Sequence, residues 1–274
     1  MAGNRDSDQV FGGSIPDVYE TFLVPLIFQP YADDLAGRVA VVQAAAVLEV
    51  AAGTGVVTRA MASRLPPTTA ITATDLNQPM IDYAAALGAD LSVSWRQADG
   101  LDLQFEDASF DAVVCQFGAM FFPDRVRAYR EFHRVLRPGG SLLFNVWDRI
   151  EDNEFADVVT EVVADMFPDD PPRFLARTPH GYHDTAVVRA DLIRAGFTAT
   201  LQIDTIEARS RAASCKAPAI GFCQGSPLRN EIEARDARRL AEATAAAAAV
   251  IGDRFGQSDI DGKMQAHVIT AVKP

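Results

Sequence analysis

Residues 47–55 read Val47-Leu48-Glu49-Val50-Ala51-Ala52-Gly53-Thr54-Gly55. The short apolar run over 46–51 predicts a buried strand, and the residues from Val56 to Arg64 predict a helix that opens directly out of the glycine turn. Glycine tolerates positive φ and lets the backbone approach a ligand closely. A new helix exposes unpaired N–H groups at the positive end of its dipole, so this junction suits an anionic group. Asp75 follows 20 residues after Gly55, at the end of the next predicted strand. A carboxylate there can accept from both hydroxyls of a ribose.

Two ligands share the ribose requirement. The dinucleotide fingerprint asks for G-x-G-x-x-G, and here its third glycine is replaced by Thr58. Glu49 sits inside the strand, where a carboxylate is costly unless it is paired. A pyrophosphate would repel it, whereas the cationic amino-acid end of S-adenosylmethionine would not. Asp99, in Gln97-Ala98-Asp99 after the third predicted strand, is placed to accept from an adenine amino group.

Outward from this junction, strands and helices alternate. Strands are expected at 46–51, 70–74, 91–97, 110–116 and 141–147. Helices are expected at 56–64, 79–87 and 124–137, the last closed by Pro138-Gly139-Gly140. Repeated strand–helix units imply a parallel sheet with helices on both faces. Upstream, residues 16–36 read as one or two short helices interrupted by Pro25 and Pro30. Residues 1–14 are polar, expected to fray, and contain no apolar leader segment. Downstream, residues 155–167 repeat apolar side chains at helical spacing. Asp184 reads as the N-cap of a helix running to 195. Strands are expected at 198–206 and 267–272, with a mainly helical insertion between them.

The stretches around these residues resemble the class I S-adenosylmethionine-dependent methyltransferases, with flanks similar to a bacterial small-molecule subgroup. VLEVAAGTG (47–55) is similar to their nucleotide loop, with Ala51 where the first glycine is usual. ATDLNQPM (73–80) is similar to their ribose segment, QADGLDLQFEDASFDAVVCQFGAMFFPD (97–124) to their adenine segment and fourth strand, and RVLRPGGSLLFNVWD (134–148) to the entry of their fifth strand. The resemblance implies a doubly wound, mostly parallel seven-stranded α/β sheet of Rossmann-like methyltransferase type with helical lid insertions. It implies a core over 40–148, 184–209 and 263–274, with lid or substrate segments at 15–36, 149–183 and 210–262. It implies S-adenosyl-L-methionine as cofactor, held by Glu49, Ala51, Gly53, Gly55, Asp75, Leu76, Met80, Ala98, Asp99, Gln116 and Phe117. The implied reaction is in-line displacement, the methyl passing to a small, partly apolar acceptor such as a quinone or lipid precursor. A non-catalytic cofactor-binding sensor or partner protein is the alternative, and a nicotinamide-dependent oxidoreductase a more distant one.

Catalytic residues are not named by the pattern. His183, in Gly181-Tyr182-His183-Asp184, could act as a base near neutral pH, and His180 is a weaker candidate of the same kind. Tyr19 lies on the expected N-terminal helices, as does Tyr31, and either could cover the ligand. Phe121 and Phe122 read as core, and Gln224-Gly225-Ser226-Pro227 as a turn that could line the substrate pocket. No His/Cys/Asp spacing suggests a metal site.

Thirty-seven acidic residues against 25 basic ones give a net charge of −12, which argues against a phosphate-gripping surface. Arg125, Arg127, Arg130, Arg134 and Arg137 read as a solvated face with local ion pairs. Three cysteines without a C-x-x-C pair fit a reducing, cytoplasmic setting. No stretch reaches the ~20 apolar residues of a membrane span. Oligomeric state and the acceptor atom are not legible.

Overall fold

The computed structural model describes residues 6–274. Helices α1 (Ile15–Val18) and α2 (Gln29–Val42) are joined without a break by a π-helix, Tyr19–Phe28. The sequence predicted interruptions at both prolines, and neither occurs. Pro25 has no N–H to offer an α-turn, and here it sits inside the wider π-turn. Pro30 falls in the first turn of α2, where a missing N–H costs nothing.

The central units follow in order: β1 (Ala46–Val50), α3 (Val56–Arg64), β2 (Ala70–Asp75), α4 (Gln78–Leu87), β3 (Val93–Gln97), β4 (Phe110–Gln116), α5 (Arg125–Val135) and β5 (Leu136–Trp147). The second half comprises α6 (Glu154–Met166), α7 (Phe174–Arg177), α8 (Thr185–Arg194), β6 (Leu201–Ser214), α9 (Lys216–Gln224), α10 (Leu228–Asp236), α11 (Leu240–Phe255) and β7 (Ser258–Val272). The sheet has seven strands in the order β3-β2-β1-β4-β5-β7-β6. Its first five are parallel, and β7 runs antiparallel to both β5 and β6. This is the doubly wound, mostly parallel sheet expected. Right-handed crossovers put α3 and α4 on one face and α5 on the other. With both faces covered, β1 and β4 are buried along nearly their whole length.

Several boundaries differ from the sequence reading. β5 begins at Leu136, so Pro138-Gly139-Gly140 lies within the strand and Arg137 is not on α5. Leu136 pairs with Phe110 and Ser141 with Ala112, so the extra residues bulge out of the ladder. β6 and β7 are much longer than predicted and pair as an antiparallel ribbon from Leu201↔Ala271 to Ser214↔Ser258. Residues 210–214 and 258–262, read as insertion, are therefore strand. The α2 helix likewise carries residues 40–42, read as core. The predicted Asp184 cap forms: its carboxylate accepts from the N–H groups of Ala186 and Val187.

Two of the arginines over 125–137 make the expected local pairs: Arg134 on α5 with Glu131 and Asp107, and Arg137 on β5 with Asp111. Arg125 instead lies over the Tyr182 ring at 4.2 Å. Of the polar N-terminal segment, residues 1–5 lie outside the described residues. Beyond them the chain is docked rather than frayed: Gln9 donates to Phe121 O (2.7 Å), and Phe11 N–H donates to Asn77 Oδ1 (3.2 Å).

Candidate active site

The sheet changes winding direction between β1 and β4, and the crevice beyond their carboxyl ends is where open α/β sheets bind ligands. A cavity of about 220 Å³ opens there. Of the residues expected at the cofactor, Ala51, Gly53, Asp75, Leu76, Met80, Ala98, Asp99, Gln116 and Phe117 line it.

Glycine and alanine shape the turn. Gly53 (φ 56°), Gly55 (φ 84°) and also Ala51 (φ 58°) are left-handed. The Gly53 N–H donates to Asp75 Oδ2 at 2.9 Å, and the Asn77 N–H donates to Asp75 Oδ1 at 2.8 Å. This fixes the carboxylate at the tip of β2. Burial raises the Asp75 pKa, and these backbone donors oppose the rise. The Asn77 side chain also donates to Oδ1, at 3.4 Å, so Oδ2 is the oxygen less fully engaged. Leu76 is 44% exposed beside it and presents an apolar surface to the cavity.

Glu49 and Gly55 do not line the cavity. Glu49 is buried beneath it, accepts from Thr58 Oγ1 at 2.5 Å, and has its pKa pushed up to about 8 by burial. Gly55 faces the other way: a Cβ there would come within 2.8 Å of the Trp95 ring. Its contribution is to let β3 and α3 close together.

Tyr19 covers the turn. Its hydroxyl would lie 3.6 Å from a Cβ at Gly53, and its ring stacks on Phe28 (4.9 Å, 23°). Burial, then the nearby carboxylates of Asp75, Glu20 and Glu49, raise its pKa. Tyr31 does not line the cavity; its hydroxyl donates to Ile206 O at 3.1 Å. Phe117 (φ 48°) stacks face to face on Trp147 at 3.8 Å and 3°. Trp147 was missed in the sequence, although it ends β5 as Gln116 ends β4, so the same carboxyl-end rule would have found it.

The far half of the cavity is walled by the π-helix, α6, α7, α9 and the β6–β7 ribbon. Its apolar surface includes Leu23, Phe155, Phe174, Phe222 and Met264. Phe121 and Phe122, read as core, also line the cavity, as do Ser226 and Pro227. His183 does not; its Nδ1 meets His180 O at 2.8 Å, behind the wall. The histidine on the wall is His180, whose Nδ1 lies 2.8 Å from Asp148 O. Burial drives its pKa down to about 4. His133 and His267 are engaged elsewhere: His133 packs edge-on against Phe197, and His267 bridges Asp148 and Thr205. No group of His, Cys, Asp and Glu able to hold a metal ion occurs among the described residues.

A winding-reversal crevice with a glycine turn and a carboxylate at the tip of the neighbouring strand has the form that open α/β sheets use for nucleotide ligands. The family model of the methyltransferase domain matches residues 48–144, which span the glycine turn to the middle of β5. The chain is similar to the ubiquinone/menaquinone biosynthesis C-methyltransferase UbiE of Pseudomonas aeruginosa, with 29% identity over 164 residues, 55% of this chain and 64% of that protein. It thus spans just under two thirds of the curated relative's length. Among solved structures, the YcgJ protein from Bacillus subtilis aligns with TM-score 0.55 and 20% identity, covering 89% of this chain and 98% of that one. The [4+2]-cyclase SpnF aligns with TM-score 0.54 and 23% identity, covering 90% and 82%. These structural likenesses are likenesses of fold. The sequence likeness is thus to methyltransferases, and it is concentrated in residues 48–144.

Proposed function

We propose that this protein binds S-adenosyl-L-methionine at the glycine turn and directs its methyl group to a small, partly apolar acceptor. The observation that carries the reading is the Asp75 carboxylate, fixed at the cavity edge by the Gly53 and Asn77 N–H groups, where it would receive a ribose hydroxyl.

The residues present suit the cofactor. Asp75 would hold the ribose hydroxyls and Asp99 the adenine amino group, with Leu76, Met80 and Ala98 against the base. Ala51 and Gly53 would border the amino-acid end, with Gln116 and Phe117 closing that side. The Asp75 carboxylate favours a cationic ligand over a pyrophosphate, and Glu49 beneath it, held protonated by burial, could ionise beside a cation. The cofactor supplies a methyl group already activated on a sulfonium. The protein's part is to align the acceptor and keep water out. The helices of 15–36, 149–183 and 210–262 serve as the lid that does so. Aromatic and aliphatic side chains dominate that half, which suits a ring-bearing acceptor. The named relative in quinone biosynthesis supports the same class.

We assign the protein to the cytoplasm as a small-molecule enzyme. Its three cysteines are free and buried, and its net charge of −12 disfavours nucleic acid. No helix among the described residues is long and apolar enough to cross a membrane.

Calorimetry with S-adenosylmethionine and S-adenosylhomocysteine tests the cofactor. Micromolar binding is expected, weakened at least ~100-fold in Asp75→Ala, consistent with loss of charge-assisted hydrogen bonds. A folded wild type that binds neither would sink the proposal. Because a cyclase shares the fold, transfer of label from methyl-labelled cofactor to an acceptor panel separates an enzyme from a binding protein.

A further inference from the structure

The polar side chains of the acceptor half already have partners. Asn153 Nδ2 donates to Arg149 O and Gln265 O, and its Oδ1 accepts from the Gln265 N–H. Ser210 donates to Leu26 O, and Ser226 donates to Phe222 O. Lys263 Nζ is 2.9 Å from Asp152. His180 differs. It is only 5% exposed, it lines the cavity, and its Nδ1 is committed to Asp148 O at 2.8 Å. A carbonyl can only accept, so Nδ1 carries the hydrogen and Nε2 is a bare lone pair. No described residue gives Nε2 a donor.

We propose that His180 Nε2 is the hydrogen-bond acceptor that selects hydroxyl-bearing acceptor substrates in this cavity. The inference deepens the methyltransferase reading and rests on it for the use of the site, though not for the binding preference itself. Nε2 is not one of the fully enclosed partnerless atoms, so it stands open to the cavity, and a ligand that covers it without giving a donor leaves it at a cost. A ligand hydroxyl removes that cost, while an isosteric methyl leaves it in place. A site built around a ligand hydroxyl therefore rejects the analogue that lacks one far more strongly than an apolar pocket rejects a change of size.

The charge state supports the role. Burial dominates, and His183 also disfavours the imidazolium; the Asp148 carbonyl and the carboxylates of Glu151 and Asp148 oppose them without restoring an ordinary pKa. Across neutral pH the ring is therefore neutral and Nε2 stays available.

The test uses the full chain saturated with S-adenosylhomocysteine, with 1-naphthol and 1-methylnaphthalene as probes of nearly equal shape. Wild type is expected to prefer 1-naphthol at least tenfold by calorimetry, with no change between pH 6 and 8.5. His180→Asn keeps a donor for Asp148 O and removes the ring nitrogen, and it should bring the two probes within threefold. Nitrogen-15 NMR of wild type should show the Nδ1–H tautomer, with the Nε2 resonance moving on addition of 1-naphthol. An Nε2–H tautomer, no preference in wild type, or a preference that survives His180→Asn would overturn the proposal. If these fail while S-adenosylhomocysteine still binds, the cofactor reading stands and only this inference falls. If S-adenosylhomocysteine does not bind, it is the cofactor reading that falls.

Discussion

The methyl group of Ala51 fills the space that a side chain at position 118 would need: a Cβ at Gly118 would stand 2.6 Å from Ala51 Cβ and 2.7 Å from Cys115 Sγ. The two positions are a matched pair across the ends of β1 and β4. Gly118→Ala should lower stability by about 1–3 kcal/mol, the usual cost of overpacking. Ala51→Gly relieves left-handed strain of about 1–2 kcal/mol while adding unfolded-state entropy, so alone it should be nearly neutral. The double variant should recover part of the Gly118→Ala loss, a coupling measurable by urea denaturation. Strict additivity would mean that the two sites do not share this space.

Gly55 separates a structural glycine from a ligand-binding one. Gly55→Ala meets both a φ of 84° and the Trp95 ring, so a loss of roughly 1–3 kcal/mol is expected. Because Gly55 does not line the cavity, S-adenosylhomocysteine affinity should change less than tenfold in protein that remains folded. A collapse of affinity at unchanged stability would place Gly55 at the ligand instead.

Glu49 gives stability a pH dependence of known sign. Its folded pKa, about 8, lies above the ordinary 4.5, so the folded state holds the proton more tightly. The stabilisation is full below about pH 4.5 and is lost as pH rises through about 8. Glu49→Gln keeps an acceptor for Thr58 and cannot ionise. Wild type should therefore lose stability relative to Glu49→Gln between pH 5 and 9, with a slope approaching ~1.4 kcal/mol per pH unit. Parallel stability curves would show that the group is already ionised in the folded protein.

Arg177 ties three segments together. Its guanidinium lies 2.7 Å from Asp8 and 2.9 Å from Glu231, and all three side chains are buried. Arg177→Met removes the cation from two carboxylates and should cost roughly 3–5 kcal/mol. Hydrogen exchange should report the loss first in residues 8–11 and 173–178. An unchanged melting temperature would show that other contacts hold these segments.

Most of the glycine-turn end of the cavity was legible because its signals are local. An apolar run, two glycines and a carboxylate at a strand tip are each fixed by a few neighbouring residues. Nine of the expected residues do line one cavity, while Glu49 and Gly55 stand behind it, since a strand's alternating faces and a glycine's neighbour are tertiary facts. The far half of the cavity was much less legible. His180 and His183 are three residues apart on a loop, and only packing against Asp148 and Trp147 decides which one meets the cavity. The π-helix was invisible because proline reads as a break whatever helical turn surrounds it. The long β6–β7 ribbon was hidden because half of it is exposed, and its register is set by cross-strand pairing rather than by apolar alternation.

The place of β7 between β5 and β6 has a consequence for synthesis. A chain emerging from the ribosome presents β1 to β5, and with them the glycine turn and Asp75, well before residues 258–272 exist. β6 is made earlier than β7 yet has no other neighbour in the sheet, so it must wait for β7. The glycine-turn end of the cavity can thus assemble on the nascent chain, while the far half closes only once residues 258–272 have been made.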